Sequence, residues 1–378
     1  MQEVNCSPRE SPETGDNSLT RAKLLGSAIL KRSSVRRLAF FLLRLSLGIA
    51  MLIWLQKSGA LNFSSLGRIF QVWPLTLVAV GVVLLDVFLM SVRVSLLFRV
   101  QGLSLCIRNA FQLTMVGFLF SMFLPGSAGG EVARFYYAGR ENHGSRPEIA
   151  AALLFDRLMG VLSLVLLPLL FAPFFLPMVR AIAGIRHIFW LDLLLTALLL
   201  ALMIGAVTLD SLWYQFSLRL KRWPDLQNLS DRVIQAIAYY RKGRATLLYA
   251  MLLSLFANFA LIIVTALGLY TTNPGSFSLK LLFVAPISHL VKALPLTPGG
   301  LGVGEAAFNA LFGVAGIKGG AEALLCVRLW NAIVGLFGLA IYLWGVGRVV
   351  HRDEKKTLPG RDVPSAMEAA CEPQFDRG

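Results

Sequence analysis

The 378-residue chain is 56% hydrophobic and only 15% charged, a composition that excludes an ordinary soluble domain. Its apolar segments are long enough to cross a bilayer, so we predict an all-α, polytopic integral membrane helical bundle. The formal net charge of +15 lies in the tails and between the apolar segments, where it faces anionic lipid. We therefore expect membrane lipids, and no nucleic acid, as partners.

The chain begins with a polar, basic stretch, and we predict a disordered cytoplasmic tail at residues 1–34. Segment 36–56 follows without the small-residue cleavage site of a signal peptide, so it is predicted to be a retained first span. Lysine and arginine counts place both termini in the cytoplasm, and residues 348–378 are predicted to form a second disordered tail. Apolar length predicts about six full spans, at residues 36–56, 74–98, 149–171, 188–209, 246–270 and 323–347.

Two further apolar segments are interrupted by proline and glycine. Residues 124–131 read LPGSAGGE and residues 295–305 read PLTPGGLGVGE, so each reaches a glutamate that begins a new apolar run. Proline removes a backbone donor and glycine permits positive φ, so a continuous helix is not expected at either place. A broken backbone at membrane depth is tolerated where protein or a water-filled cavity satisfies its polar groups. Together with the charge distribution, these breaks predict re-entrant hairpins at 109–138 and 279–317.

The two halves of the chain repeat the same order of elements. Residues 35–187 and 188–347 each contain two spans, a re-entrant hairpin and a closing span, and they run in opposite directions through the membrane. This order is typical of an inverted-topology repeat, which binds its substrate where the broken helices of the two halves meet. The alternative is that two apolar halves agree by chance.

Residues 211–245 separate two spans and contain seven basic residues, which places this stretch in the cytoplasm. Apolar residues recur within it at intervals of three and four, the stripe of an amphipathic helix. Such a helix lies either on the membrane surface or, as a simple connector, against the bundle.

Charged residues inside the apolar segments define a candidate site. Glu131 and Glu305 lie in the two hairpins, and each has an arginine on the following span, Arg157 and Arg328. A charge at mid-bilayer costs about 2.5 to 3.5 kcal/mol on insertion scales, so such residues face the bundle interior and are partnered. In one interpretation the glutamates stabilise the first turns of half-helices and the arginines neutralise them. In the other, arginines and half-helix amides bind a phosphate headgroup, and the carboxylates gate the site or carry a proton.

The functional interpretation predicts two groups of site residues. The predicted substrate-binding residues are Arg157, Arg328, Gly129, Gly130, Gly299, Gly300 and Asn331. The candidates for proton coupling or gating are Glu131, Glu305 and Asp156. His289 and Lys292 are weaker candidates, because such side chains more often extend to the membrane surface. The sequence has no P-loop, HExxH, GxSxG or Cys/His cluster, so we expect no catalytic residue, no metal and no cofactor.

Four segments carry a family resemblance: LPGSAGGEVAR at 124–134, the pair Asp156 and Arg157, PLTPGGLGVGE at 295–305, and RLWN at 328–331. Over residues 35–347 the chain resembles the lysylphosphatidylglycerol synthase transmembrane region, also called the flippase-like domain family. The resemblance implies the handling of lipids or polyprenyl-linked sugars. In the two-part synthases of this family a soluble C-terminal acyltransferase domain does the chemistry. Residues 348–378 are too few for such a domain, so we expect no enzyme activity.

Residues and resemblance together predict a flippase-like transporter that moves an anionic phospholipid or a polyprenyl-phosphate-linked lipid across the bacterial inner membrane. The alternative is a membrane scaffold that does not transport but presents a lipid to a glycosyltransferase or a lipid-modifying enzyme. Under that alternative the partners are enzymes of envelope biogenesis. Transport by the purified protein in liposomes separates the two hypotheses.

Overall fold

The computed structural model describes residues 71–103, 105–123, 128–141, 146–208, 239–240, 243–294 and 296–356, and the single positions 46, 53, 56, 57 and 67. Within this part of the chain the regular structure is helical and contains no strand, which confirms the all-α prediction. Its α-helices are, in order, α1 Trp73–Val100, α2 Ile107–Phe123, α3 Ala128–Glu141, α4 Arg146–Ala181, α5 Ala183–Thr208, α6 Arg244–Thr272, α7 Leu281–Lys292, α8 Val303–Val314 and α9 Gly320–Lys356.

Five of these helices, α1, α4, α5, α6 and α9, are long and apolar enough to cross a membrane. They match five of the six predicted spans, and the sixth, at 36–56, lies outside the described residues except for positions 46, 53 and 56. Helix α5 presents a stripe of leucines that would be unfavourable in water: Leu191, Leu194, Leu198 and Leu202 are each more than half exposed. The protein is therefore a polytopic helical membrane protein, whose exposed apolar faces contact lipid.

Two helices extend beyond their predicted ends. Helix α4 continues to Ala181 although Pro168, Pro173 and Pro177 lie inside it, whereas the sequence placed the end of this span at 171. A transmembrane helix tolerates such prolines because neighbouring groups and local adjustments satisfy the freed carbonyls. Helix α9 continues to Lys356, into the predicted tail 348–378. The remainder of that tail, 357–378, and the tail 1–34 lie outside the described residues.

The predicted amphipathic segment 211–245 lies mostly outside the described residues. Near its end, Tyr240 is fully buried, stacks on Phe155 at a ring distance of 4.1 Å and donates a hydrogen bond to the Leu97 carbonyl at 3.1 Å. At this position the segment packs against the bundle, as the connector interpretation predicts.

Each predicted hairpin corresponds to two helices that pack on each other. Helices α2 and α3 form the first hairpin, and residues 124–127 between them lie outside the described residues. Helices α7 and α8 form the second, and the loop between them contains a single 3-10 turn, Pro298–Gly300. Gly299, Gly300 and Gly302 have φ of 57°, 68° and 76°, in the region that favours glycine. The glycines of this motif therefore break the helix, as the sequence predicted.

The helices pack in a reciprocal pattern. The first helix of each hairpin contacts the closing span of the other half, so that α2 packs on α9 and α7 packs on α4. The opening spans α1 and α6 pack extensively on each other. Helix α2 also contacts the Pro298–Gly300 turn, which brings the two hairpins together. If each helix is replaced by its counterpart in the other half, α1 by α6, α2 by α7 and α4 by α9, the same packing pairs result.

Candidate functional site

A cavity of about 500 Å³ lies where the two hairpins meet the spans α1, α4, α6 and α9. Apolar residues form much of its wall, but charged residues from both halves also face it. They are Arg93, Glu131, Arg134, Asp156, Arg157, Lys292 and Arg328. Because ionisable groups inside a membrane bundle are costly and usually functional, this cavity is the candidate site.

The second hairpin contributes a closed ion pair. Glu305 lies in the first turn of α8 and is fully buried. Its Oε1 accepts a hydrogen bond from Arg328 Nε at 2.5 Å, and its Oε2 accepts one from the Gly302 amide at 2.7 Å. Glu305 therefore stabilises the start of α8 and joins it to α9, as the structural interpretation of the sequence predicts.

Arg328 uses its other nitrogens to hold the glycine loop. Nη1 donates to the Gly299 carbonyl at 2.7 Å, and Nη2 donates to the Gly300 carbonyl at 2.8 Å. The Gly300 amide donates to the Thr297 carbonyl at 3.0 Å. Protein groups thus form hydrogen bonds with these backbone carbonyls and this amide, as a non-helical segment in a membrane requires. These three predicted substrate-binding residues, Gly299, Gly300 and Arg328, form one bonded unit in the cavity wall.

The first hairpin contributes a longer chain of charges. Asp156 is buried and accepts hydrogen bonds from Arg93 Nε at 2.6 Å and from Arg134 Nη1 at 3.3 Å. The same Arg134 nitrogen lies 3.4 Å from Glu131 Oε1, which also accepts from Arg157 Nε at 2.9 Å. Three guanidinium groups therefore alternate with two carboxylates. Glu131 Oε2 is buried and has no hydrogen-bond partner among the described residues.

Two glycines allow the first hairpin to close around this chain of charges. A Cβ added to Gly130 would collide with the Gly117 carbonyl, so glycine is required for the close contact between α2 and α3. A Cβ at Gly117 would in turn collide with the side chain of Arg134. Gly130 lines the cavity, and Gly129, also predicted to bind substrate, lies beside it in the first turn of α3.

Neutral polar residues complete the wall. Asn258 Nδ2 donates to the Gly160 carbonyl at 3.0 Å and to Ser163 Oγ at 2.5 Å, which ties α6 to α4. His289 Nε2 lies 2.8 Å from the Thr265 hydroxyl oxygen. Asn331 is partly buried, and its amide makes no hydrogen bond within the described part of the chain.

The residues predicted from sequence converge on this one cavity. The structure forms both predicted pairs, Glu131 with Arg157 and Glu305 with Arg328. Every other predicted site residue either lines the cavity or neighbours one that does, and these residues come from α3, α4, α9 and the Pro298–Gly300 turn.

The comparison with known families agrees with this geometry. The family model described as "Lysylphosphatidylglycerol synthase TM region" matches residues 41–341, which include every residue of the cavity wall. The chain belongs to this family. No curated protein and no solved structure matches it. The lysylphosphatidylglycerol synthase TM region is a membrane domain associated with lipid modification or translocation, and the resemblance seen in the sequence motifs is confirmed.

In this member of the lysylphosphatidylglycerol synthase TM region family, sequence reasoning missed several cavity residues. Arg93 and Arg134 are both buried partners of Asp156, and Asn258 joins two spans. Arg134 follows Glu131 by three residues on one helix face, a spacing that predicts contact. His289 and Lys292, only weaker candidates from the sequence, both line the cavity.

Proposed function

We propose that this protein translocates an anionic lipid, either a phospholipid or a polyprenyl-phosphate-linked lipid, across the bacterial inner membrane without catalysing a reaction. The observation that carries the proposal is the charge of the cavity. Five cationic side chains line it together with two carboxylates, and Glu305 behind the wall adds a third. The formal excess of two positive charges inside a membrane bundle favours a negatively charged ligand.

The arrangement of the helices supports a transport role. Reciprocal packing of α2 on α9 and of α7 on α4 is the pattern that an inverted-topology repeat produces. In such a repeat the two hairpins enter from opposite faces, and rocking of one half against the other exposes the cavity alternately. The basic residues beside the first and last spans favour a cytoplasmic position for both termini. The lipid headgroup crosses through the cavity while its acyl or prenyl tails remain in the bilayer.

The wall residues then divide by role. Arg157 is 43% exposed at its side chain and, with Asn331, contacts the headgroup. Gly129 and Gly130 lie in the first turn of α3, whose backbone amides interact favourably with an anionic headgroup. The unit of Arg328, Gly299 and Gly300 forms the opposite wall and fixes the position of the glycine loop.

The carboxylates differ as candidates for gating or proton coupling. Asp156 and Glu305 each have hydrogen-bond donors on both oxygens. Glu131 alone of the three keeps a buried oxygen with no partner among the described residues. If proton coupling drives transport, Glu131 is therefore the residue that takes the proton.

Transport by the purified protein tests the proposal. The protein is reconstituted into phosphatidylcholine vesicles containing a trace of phosphatidylglycerol that carries a fluorophore on one acyl chain, and an impermeant reductant bleaches the outer leaflet. We expect labelled phosphatidylglycerol to reach the outer leaflet faster than in protein-free vesicles, and faster than similarly labelled phosphatidylcholine. Labelled polyprenyl phosphate provides a second substrate.

Matched variants connect the result to the cavity. Arg157→Gln removes a cavity charge and should slow transport roughly tenfold, the typical effect of one charge-assisted hydrogen bond. Arg186→Gln removes an exposed arginine of α5, outside the cavity, and should have no effect. Absence of transport for every anionic lipid would refute the proposal. Tight lipid binding without transport would instead indicate a lipid-presenting scaffold.

A further inference from the structure

Lys292 differs from the other cations of the cavity. Arg93, Arg134, Arg157 and Arg328 each pair with a carboxylate. The ammonium group of Lys292 has no hydrogen bond or ion pair within the described residues. An ionisable side chain that makes no ion pair inside a membrane bundle is costly, so its presence requires a reason.

The stem of Lys292 is held in place by the glycine motif. A Cβ added to Gly300 would lie 3.2 Å from Lys292 Cγ and 2.7 Å from its carbonyl oxygen, and a Cβ at Gly304 would lie 3.2 Å from the same Cγ. The stem therefore passes directly against two glycines. A lysine at a helix end usually extends along the helix toward the membrane surface. Because Gly300 and Gly304 have no side chains, the Lys292 stem fits beside the cavity, which Lys292 lines.

The other cation of this wall is already engaged. Arg328 donates to both oxygens of Glu305 and to two loop carbonyls, so only one of its five N–H donors remains for a ligand. The Lys292 ammonium group has three N–H donors, and none of them makes a hydrogen bond within the described residues. An anionic ligand beside it would supply the missing partner and form charge-assisted hydrogen bonds.

We propose that Lys292 binds the phosphate of the transported headgroup directly, that Arg328 only positions the loop beside it, and that the site prefers a phosphomonoester to a phosphodiester. This inference rests on the proposed function. The paired side chains of the second hairpin are neutral in sum, so Lys292 supplies the whole positive charge of that wall. A phosphomonoester with its second pKa at about 6 carries two charges near neutral pH, which match the excess of two positive charges in the cavity. A phosphodiester carries one.

Two lipids with the same tails test both parts of the inference. Binding of dioctanoyl phosphatidic acid and of dioctanoyl phosphatidylglycerol to the full chain in detergent is measured at about pH 7, where the monoester is mostly dianionic. We expect the wild-type protein to bind phosphatidic acid more tightly. Lys292→Gln should weaken its binding roughly tenfold or more and should weaken phosphatidylglycerol binding less. Lys292→Arg keeps the positive charge and should retain most of the affinity.

Controls separate binding from folding. Lys280→Gln removes a lysine at the start of the same hairpin, whose ammonium group donates to the Ala315 carbonyl outside the cavity, and should leave both affinities unchanged. Size-exclusion profiles verify that each variant is folded. Arg328→Lys should lower the stability of the glycine loop. It should leave the ratio of the two lipid affinities unchanged.

The outcomes are distinguishable from failure of the proposed function. Unchanged binding by a folded Lys292→Gln variant would overturn the contact, and equal losses for the two lipids would overturn the preference for the monoester. Because binding is measured without transport, a wild-type protein that binds phosphatidic acid but moves no lipid in vesicles would refute translocation while leaving the Lys292 result intact.

Discussion

The two hairpins have similar chemistry but differ in how completely it is enclosed. Each places a glutamate in the first turn of its second helix and pairs it with an arginine on the following span. In the second hairpin Glu305 is fully buried, and its partner Arg328 is 19% exposed at its side chain. In the first, Glu131 is 22% exposed and Arg157 is 43% exposed. The same pair of residue types is sealed in one half and accessible in the other.

Hydrogen bonding follows the same division. Both oxygens of Glu305 have donors, and Arg328 also holds two carbonyls of the loop. Glu131 shares one oxygen between two arginines and leaves the other without a partner among the described residues. The difference teaches that a glutamate–arginine pair can stabilise a broken helix or remain available to a ligand, and that burial decides which.

The largest expected effect comes from removing the sealed carboxylate. Glu305→Ala leaves Arg328 and the Gly302 amide without their acceptor inside the bundle and should lower the free energy of unfolding by about 3–5 kcal/mol, the usual cost of breaking a buried pair. Glu131→Ala is the matched change in the first hairpin. It should cost about 1 kcal/mol, because Arg134 keeps Asp156 and Arg157 is partly solvated.

Unfolding of both variants in mixtures of mild and denaturing detergent measures this contrast. Equal losses of stability in the two variants would contradict the distinction between a sealed and an accessible hairpin.

An intermediate effect is expected from the glycine loop. Gly300→Ala places a Cβ at a residue with φ of 68° and 2.7 Å from the Lys292 carbonyl oxygen, and should cost about 2 kcal/mol or more through backbone strain and crowding. Gly313→Ala in α8 is the control, since nothing lies within 4 Å of its added Cβ. It should cause no loss in the same detergent unfolding assay, and a loss there as large as that of Gly300→Ala would mean that loop geometry is not the cause.

The smallest effect on stability is expected at the accessible arginine. Arg157→Gln removes a pair whose arginine is 43% exposed, and should change the free energy of unfolding by less than about 1 kcal/mol. The same variant should nevertheless slow lipid transport, so stability and transport separate at this residue. A large loss of stability would show that Arg157 is structural like Arg328, and the contrast between the hairpins would then fail.

Much of the site could be predicted because its signals are local in sequence. The proline–glycine segment at 295–305 and the glutamate–arginine spacing identified the second hairpin and both ion pairs. Arg93 was harder to assign, because its partner Asp156 lies on another span 63 residues later. Lys292 was only a weaker candidate for the site, because a lysine at a helix end more often extends to the membrane surface. Only the packing of its stem against Gly300 and Gly304 reverses that expectation.

By itself, the sequence determined that this is a helical membrane protein, where its described spans lie and where its helices break. Those properties depend on apolar length, on proline and on glycine, which act over a few residues. Only the tertiary structure decided which of two similar hairpins is sealed and which cavity cation makes no ion pair with the described residues. Burial and pairing are set by residues far apart in the chain, and the distance between such residues is a property of the packed bundle.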